Sequence, residues 1–427
     1  MKIHHHRKLH RLQCAVQNYD WGLPASVSRV ASLYSLNSGV SVVDPHKPYA
    51  EIWMGTHDSG PSYFKYGFGN NGLENGVCFT SLKSWILQNP DVLGGRVLEN
   101  WGCDLPFLFK VLSVGKALSI QAHPDKELAR LLHKKHPDVY KDANHKPEMA
   151  LAITKFEALC GFISLEELKD VVSSVSEVGE LIGRTNVQRV LNVNVKDEGE
   201  KFKPLLQEVF TKLMSADKDR VAEVVSKVKS RLQSDNQVRL LTDKEMLVLR
   251  LEEQYPGDVG VISAFFLNYV RLKPGEALYI GANEPHAYLS GECVECMATS
   301  DNVVRAGLTP KPLDVQTLCS MLTYKQGYPE ILKGVILNPY TKRYIPPFDE
   351  FEVDHCVLPH NASTTFSAMH GPSVFLAMAG EGIIQTDSSE ERIIEGDVFF
   401  APADCEILLT AKTELQIYRA GVNSKLF

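Results

Sequence analysis

The chain has 427 residues, 44% of them hydrophobic and 23% charged, with a formal net charge of −7. This composition excludes a disordered or collagen-like chain and predicts two to three compact units around a substantial core. The negative balance supplies no global field for nucleic acid or an anionic membrane, so an anionic substrate needs its own local cations. The opening stretch Met-Lys-Ile-His-His-His-Arg-Lys is basic but lacks the apolar core of a secretory signal. His4, His5 and His6 read as a solvated tail. No apolar run is long enough for a membrane helix. Nine scattered cysteines suggest a reducing compartment, and the expected location is cytoplasmic. Cys293 and Cys296 have the spacing of a zinc knuckle, but no second pair answers them. They read as two buried thiols on a strand, because structural zinc needs four closed ligands.

The first third is strand- and turn-rich, with short apolar runs at 108–114 and 118–122. One helix interrupts it, where Asp125 caps a stripe of Leu128, Leu131 and Leu132. From Ser164 the texture turns helical. Ser164 with Glu167 and Thr242 with Glu245 form capping boxes. Stripes through Leu206, Phe210 and Leu213, then Val221, Val225 and Val228, fill the interval. Pro256 and Gly257 close the block, and strand texture continues to the end. An echo links Arg271-Leu272-Lys273-Pro274-Gly275-Glu276-Ala277-Leu278-Tyr279 to Arg392-Ile393-Ile394-Glu395-Gly396-Asp397-Val398-Phe399-Phe400. The expected fold is mainly β, with two jelly-roll β units and an all-α insertion splitting the first. The expected division is 1–161, 162–254, 255–335 and 336–427.

Three segments carry candidate chemistry. In Ser119-Ile120-Gln121-Ala122-His123-Pro124, alternation places Ser119, Gln121 and His123 on one face, and Pro124 ends the strand. In Lys146-Pro147-Glu148-Met149-Ala150, the two charges share a face beside an apolar strand. That arrangement is costly unless they are paired or bound to a cation. Between Gly281 and Pro285 a turn leads into His286, with Tyr288 on the same face. Gln121, His123, Glu148 and His286 offer two nitrogens and two oxygens, which suits zinc or another borderline divalent ion; manganese, iron and cobalt fit equally. Taken singly, each histidine is more often a structural one, and spacing alone leaves that reading open.

Gln17-Asn18-Tyr19-Asp20-Trp21-Gly22, Tyr49-Ala50-Glu51-Ile52-Trp53-Met54-Gly55-Thr56-His57, Asn144-His145-Lys146-Pro147-Glu148-Met149, the Ser119 segment and the run from Tyr279 to Lys311 resemble type I mannose-6-phosphate isomerases. These are also called phosphomannose isomerases and belong to the cupin superfamily; the wording is eukaryotic and plant-like. The resemblance implies one Zn2+ per chain, held by Gln121, His123, Glu148 and His286. It implies that Lys146, Glu295, Asp301 and Arg305 line the catalytic pocket. It further implies a catalytic jelly roll, a helical domain and a C-terminal jelly roll. The implied reaction interconverts mannose 6-phosphate and fructose 6-phosphate through a cis-enediol, feeding mannose activation for GDP-mannose, glycans and ascorbate precursors. The expected protein is a monomer whose partner is a small sugar phosphate, with no nucleic acid or membrane.

Moving a proton between adjacent carbons needs a positioned base and positive charge where the oxyanion develops. Glu295 is the preferred base and Lys146 the second. Arg305 is a fixed cation for the enediolate, though its fork suits phosphate equally. Asp301 is expected to orient Arg305 or to move protons during ring opening. A structural ion pair between Glu295 and Arg305 is the plain alternative. Ser119, Lys110 and Lys311 are the expected phosphate contacts, and Tyr288 a substrate contact. In the echo, His286 maps to about Ile407, so the second jelly roll is expected to pack without a metal. Competing functions are an iron-dependent cupin oxygenase, which Gln121 fits poorly, and a non-catalytic sugar-binding cupin.

Overall fold

The computed structural model describes residues 8–39, 44–65, 80–194, 199 and 201–427; the histidines of the expected N-terminal tail lie outside them. Two sheets share one long strand, His286–Ala298. Its second half pairs with Phe107–Val114 and Glu148–Ala152, and its first half with Phe156–Phe162 and Ile120–Ala122. The strand passes from one sheet to the other at Gly291. There φ is 101°, and a Cβ would stand 2.2 Å from the Lys155 carbonyl oxygen, so only glycine fits. This is the split jelly roll: its halves flank the helices in sequence and meet in space.

Alternation decides what faces where. Ala150 and Ala152 join Leu112, Phe156 and Cys293 in an apolar cluster between the sheets. Met149 and Leu151 point the other way, into a core shared with Val374, Leu376, Val398 and Phe400 of the C-terminal unit. The outer face of the second sheet, with Ile120, Ala122, Ala287 and Val304, packs against Leu206, Phe210 and Leu251 of the helices. The first barrel therefore lies between the helical block and the second barrel, which buries both of its outer faces. Cys293 and Cys296 are fully buried on opposite faces of one strand, as alternation requires.

The helix ends follow local sequence closely. Asp125 caps Lys126–Lys135, and both capping boxes form, at Leu165–Ser174 and Asp243–Gln254. Helices continue beyond Pro256, to Val259–Ser263. The first third differs from its strand-rich reading, because it also holds Arg29–Ser38, Leu82–Gln88 and Gly95–Trp101. The reason is visible in Arg29–Ser38. Its buried face includes Asn37, which accepts from Cys14 N at 2.8 Å and donates to Leu12 O at 2.9 Å. A polar residue on the inner face breaks the apolar period.

In the second barrel, an eight-stranded and a four-stranded sheet enclose Phe375, Ile384, Phe399, Ile407 and Ile417. The echo is structural: Leu267–Leu272 and Ala277–Ile280 correspond to Ser389–Ile394 and Val398–Ala401, and Ile407 opens a strand as His286 does. The linear division misses one exchange. His10–Gln13 lies between Val398–Ala401 and Tyr63–Phe64, so the start of the chain completes the sheet of its final unit. Among the described residues, no helix is long and apolar enough to cross a membrane.

Candidate metal centre and substrate cavity

Register assembles the site. Antiparallel pairing sets Arg305 opposite Gln121, Gln121 opposite His286, and His286 opposite Cys160. Directly opposed residues share a face, so one row across the second sheet carries Arg305, Gln121 and His286 side by side. His123 follows where Pro124 halts the strand. Glu148 approaches from the first sheet. His123, Glu148 and His286 are 0%, 2% and 1% exposed.

The two imidazoles are oriented from behind. His123 Nδ1 lies 2.7 Å from the Asn302 carbonyl oxygen, and His286 Nδ1 lies 3.0 Å from that of Glu284. A carbonyl only accepts, so each Nδ1 carries the proton and each Nε2 presents a lone pair inward. These Nε2 atoms are buried without a hydrogen-bond partner. They stand 3.3 and 3.4 Å from the two oxygens of Glu148. One ligand atom from each of the three residues lies within 4.8 Å of the others. Burial lowers the His123 pKa to about 4, which keeps the ring neutral. Burial alone would raise Glu148, but His123 and Lys146 outweigh it and hold the carboxyl well below its usual range. Two aimed lone pairs and an ionised carboxylate between them fit a divalent cation. Gln121 fills the next place in the row and accepts from Ser119 Oγ at 3.4 Å.

The loop behind His123 is itself braced. Asp142 accepts from Ser300 Oγ at 2.9 Å and from Asp301 N at 2.8 Å, and Asn302 Nδ2 donates to the Asp142 carbonyl at 2.7 Å. Asn302 is fully buried.

Beside this centre lies a cavity of about 700 Å³ whose lining includes Gln121, Ser119, Lys146, Arg305, Lys311 and Lys116. The charged groups on the wall are the cations Lys116, Lys146, Arg305 and Lys311 and the carboxylates Asp20, Glu51 and Asp258. Arg305 is half-buried, and among the described residues it has no carboxylate partner; burial alone lowers its pKa. Lys146 Nζ lies 3.3 Å from Glu148 Oε1.

Four expected residues sit differently from their readings. Lys110 is buried between Glu51 and Glu295, 3.3 and 3.0 Å from its Nζ, and does not line the cavity. Its charge is paired with two carboxylates, whereas the expectation from sequence was a contact with phosphate. Glu295 pairs with Lys110, not Arg305, and its carboxylate lies behind the cavity wall. Burial raises its pKa, Lys110 opposes this, and the nearby Glu148 and Glu51 add to the rise. Asp301 does not orient Arg305; it takes the His57 Nε2 proton at 3.2 Å, which holds its own pKa down. His57 Nδ1 accepts from Ser59 N at 3.2 Å, which fixes that tautomer. Tyr288 is 4% exposed, with a buried hydroxyl and a pKa held well above the phenol range by burial and then by Glu295 and Glu148. It packs inside the barrel, away from the cavity wall.

Glu51, His57, Asn302 and Asp258 were not singled out from sequence. Glu51 alone had a readable signal. It alternates with Trp53, whose indole donates to it at 2.5 Å, on the strand next to Lys110.

Comparison with known proteins agrees with this architecture. The family model described as the catalytic domain of type I phosphomannose isomerase matches residues 9–165, and that of its helical insertion domain matches 181–267. Mannose-6-phosphate isomerase 1 of Arabidopsis thaliana is 60% identical, over 98% of this chain and 95% of its own. Mannose-6-phosphate isomerase of Homo sapiens is 40% identical, over 96% and 97%. Among solved structures, a point variant of phosphomannose isomerase from Salmonella typhimurium superposes with a TM-score of 0.81 at 27% identity, covering 97% of this chain and 99% of that one. A mannose 6-phosphate isomerase bound with zinc and yttrium gives 0.79 at 27%, with the same coverage. Relatives at these identities over nearly full length leave one conclusion: the chain belongs to the type I phosphomannose isomerases.

Proposed function

We propose that this chain is a zinc-dependent isomerase of mannose 6-phosphate and fructose 6-phosphate, with one ion per chain. One observation carries the reading: two buried imidazoles present unpartnered Nε2 atoms on either side of Glu148, at the edge of a cavity that Lys116, Lys146, Arg305 and Lys311 line. His123, Glu148, His286 and Gln121 would hold the ion. When bound, it supplies Lewis-acid polarisation of the sugar carbonyl.

The residues of the chain do the rest. Arg305 meets the negative charge that develops on the enediol oxygens, unquenched by any neighbouring carboxylate. Ser119 and Lys311 hold the phosphate, with Lys116 beside them. Lys146 faces the reacting carbons and donates to their oxygens during ring opening. Glu295 remains our proton acceptor, with a raised pKa suited to that role. Lys110 links it to Glu51, which stands on the cavity wall, and the two carboxylates keep the buried ammonium charged. Asp301, held by His57, closes the rim. The reading is of a cytoplasmic monomer acting on a small sugar phosphate and supplying mannose for GDP-mannose synthesis.

A coupled assay for fructose 6-phosphate, run on the same protein before and after chelation and again after adding zinc back, tests the proposal. Turnover that vanishes and returns supports it; full turnover in metal-free protein refutes it.

A further inference from the structure

One short segment of the helical block grips both strand ends that carry the cavity's cations. It begins where the helix Asp243–Gln254 stops. Gln254 Oε1 accepts from Ala117 N at 3.0 Å, and the Tyr255 hydroxyl donates to Ala117 O at 2.5 Å. Both backbone groups of Ala117 are thus held between Lys116 and Ser119. Lys116 Nζ lies 4.3 Å above the Tyr255 ring.

Asp258 holds the other side. Its Oδ1 accepts from Gly260 N at 2.6 Å and from Leu308 N at 2.7 Å, and its Oδ2 accepts from Thr309 N at 3.2 Å. Leu308 and Thr309 join the Arg305 strand, Val304–Gly307, to Lys311. Leu308 has φ of 52°, an unfavourable region for a leucine, so the turn depends on outside support. The backbones touch here: a Cβ on Gly260 would lie 2.5 Å from Leu308 N, and one on Gly307 would lie 2.6 Å from Gly260 N. Two facing glycines bring the block close enough for one carboxylate to bind three amides.

We infer that Asp258 is a positioning residue for the phosphate-binding end of the cavity: through the Leu308–Thr309 turn, the helical block sets where Lys311 stands and thereby the affinity for the phosphate group. The inference rests on the proposed reading of the cavity. It gives the block a part in substrate selection, beyond covering the outer face of the metal-bearing sheet.

The test uses full-length, zinc-loaded protein with inorganic phosphate as the probe, measured by calorimetry and by competition against the sugar phosphate. Asp258→Asn keeps an acceptor for the Gly260 cap but cannot accept from both Leu308 and Thr309. Phosphate binding is expected to weaken about tenfold, and further in Asp258→Ala. KM should rise in parallel and by more than kcat falls, with metal content unchanged. Gly260→Ala keeps the carboxylate but drives a methyl into Leu308 N, and should weaken phosphate binding likewise. A folded Asp258→Asn protein with wild-type phosphate affinity overturns the inference. So does a fall in kcat and thermal stability with phosphate affinity intact, the mark of a merely structural role. A wild-type protein that binds no phosphate would instead overturn the reading of the cavity, and the inference with it.

Discussion

The two jelly rolls contain nearly the same strand and put it to opposite uses. Val304-Arg305-Ala306-Gly307-Leu308-Thr309-Pro310-Lys311 in the first matches Tyr418-Arg419-Ala420-Gly421-Val422-Asn423-Ser424-Lys425 in the second. Each arginine sits in a row across its sheet. Opposite Arg305 stands Gln121, which is neutral; opposite Arg419 stands Asp354. Arg305 consequently faces a cavity of about 700 Å³ with its charge free. Arg419 is 2% exposed, 2.8 Å from Asp354, with Glu352 and Arg343 completing a buried network. The void beside it measures only about 10 Å³. One cross-strand neighbour separates the proposed anion site from an internal staple. A guanidinium that already has its carboxylate has little left to offer a ligand.

The comparison can be broken at several points. Removing the metal from the first barrel, by chelation or by His286→Ala, should lower turnover by about a thousandfold or more. Retained turnover in metal-free protein would leave the two barrels chemically alike. Next in size is Arg305→Ala, which should cost about 3–4 kcal/mol of transition-state stabilisation, read as kcat in the coupled assay. The equivalent Asp354→Ala in the second barrel strands a buried charge. It should cost about 3 kcal/mol in urea unfolding while activity per folded molecule stays constant. Loss of activity in the folded variant would show the second barrel to be more than a support.

Gln121→Glu sharpens the contrast by giving Arg305 the kind of partner Arg419 has. With metal retained, kcat should fall about tenfold or more, seen in the coupled assay. The smallest effect concerns pH. His355 stacks on Tyr418 at 4.5 Å, and burial, then Lys342, lowers its pKa to about 4. The unfolded chain takes up this proton near pH 6.5 and the folded one near 4, so the contribution is complete above 6.5 and lost as pH falls towards 4. We expect about 1–2 kcal/mol between pH 7 and 4.5, after discounting for partial exposure. His355→Gln should flatten that part of the stability profile measured by thermal unfolding.

What could be read from sequence was local. Asp125, Ser164 with Glu167, and Thr242 with Glu245 form their caps because a cap needs only its next three residues. Alternation placed Met149 and Ala150 on opposite faces for the same reason. It could not give depth: Lys110 lies on the inner face, yet Glu51 and Glu295 close over it. Nor could it give partners across loops. Asp301 meets His57 rather than Arg305, and nothing within either segment marks the other. The registers that bring Gln121 beside both His286 and Arg305 join segments more than 160 positions apart, and no short-range pattern encodes them. Resemblance supplied those residues together; physics from the sequence alone supplied them only one segment at a time.

The strand His10–Gln13 hydrogen-bonds with Val398–Ala401 near the opposite end of the polypeptide. On a ribosome more than 380 residues are made between this strand and its permanent neighbour. Until then the backbone of His10–Gln13 lacks this ladder, so closure of the final sheet is a late, long-loop event.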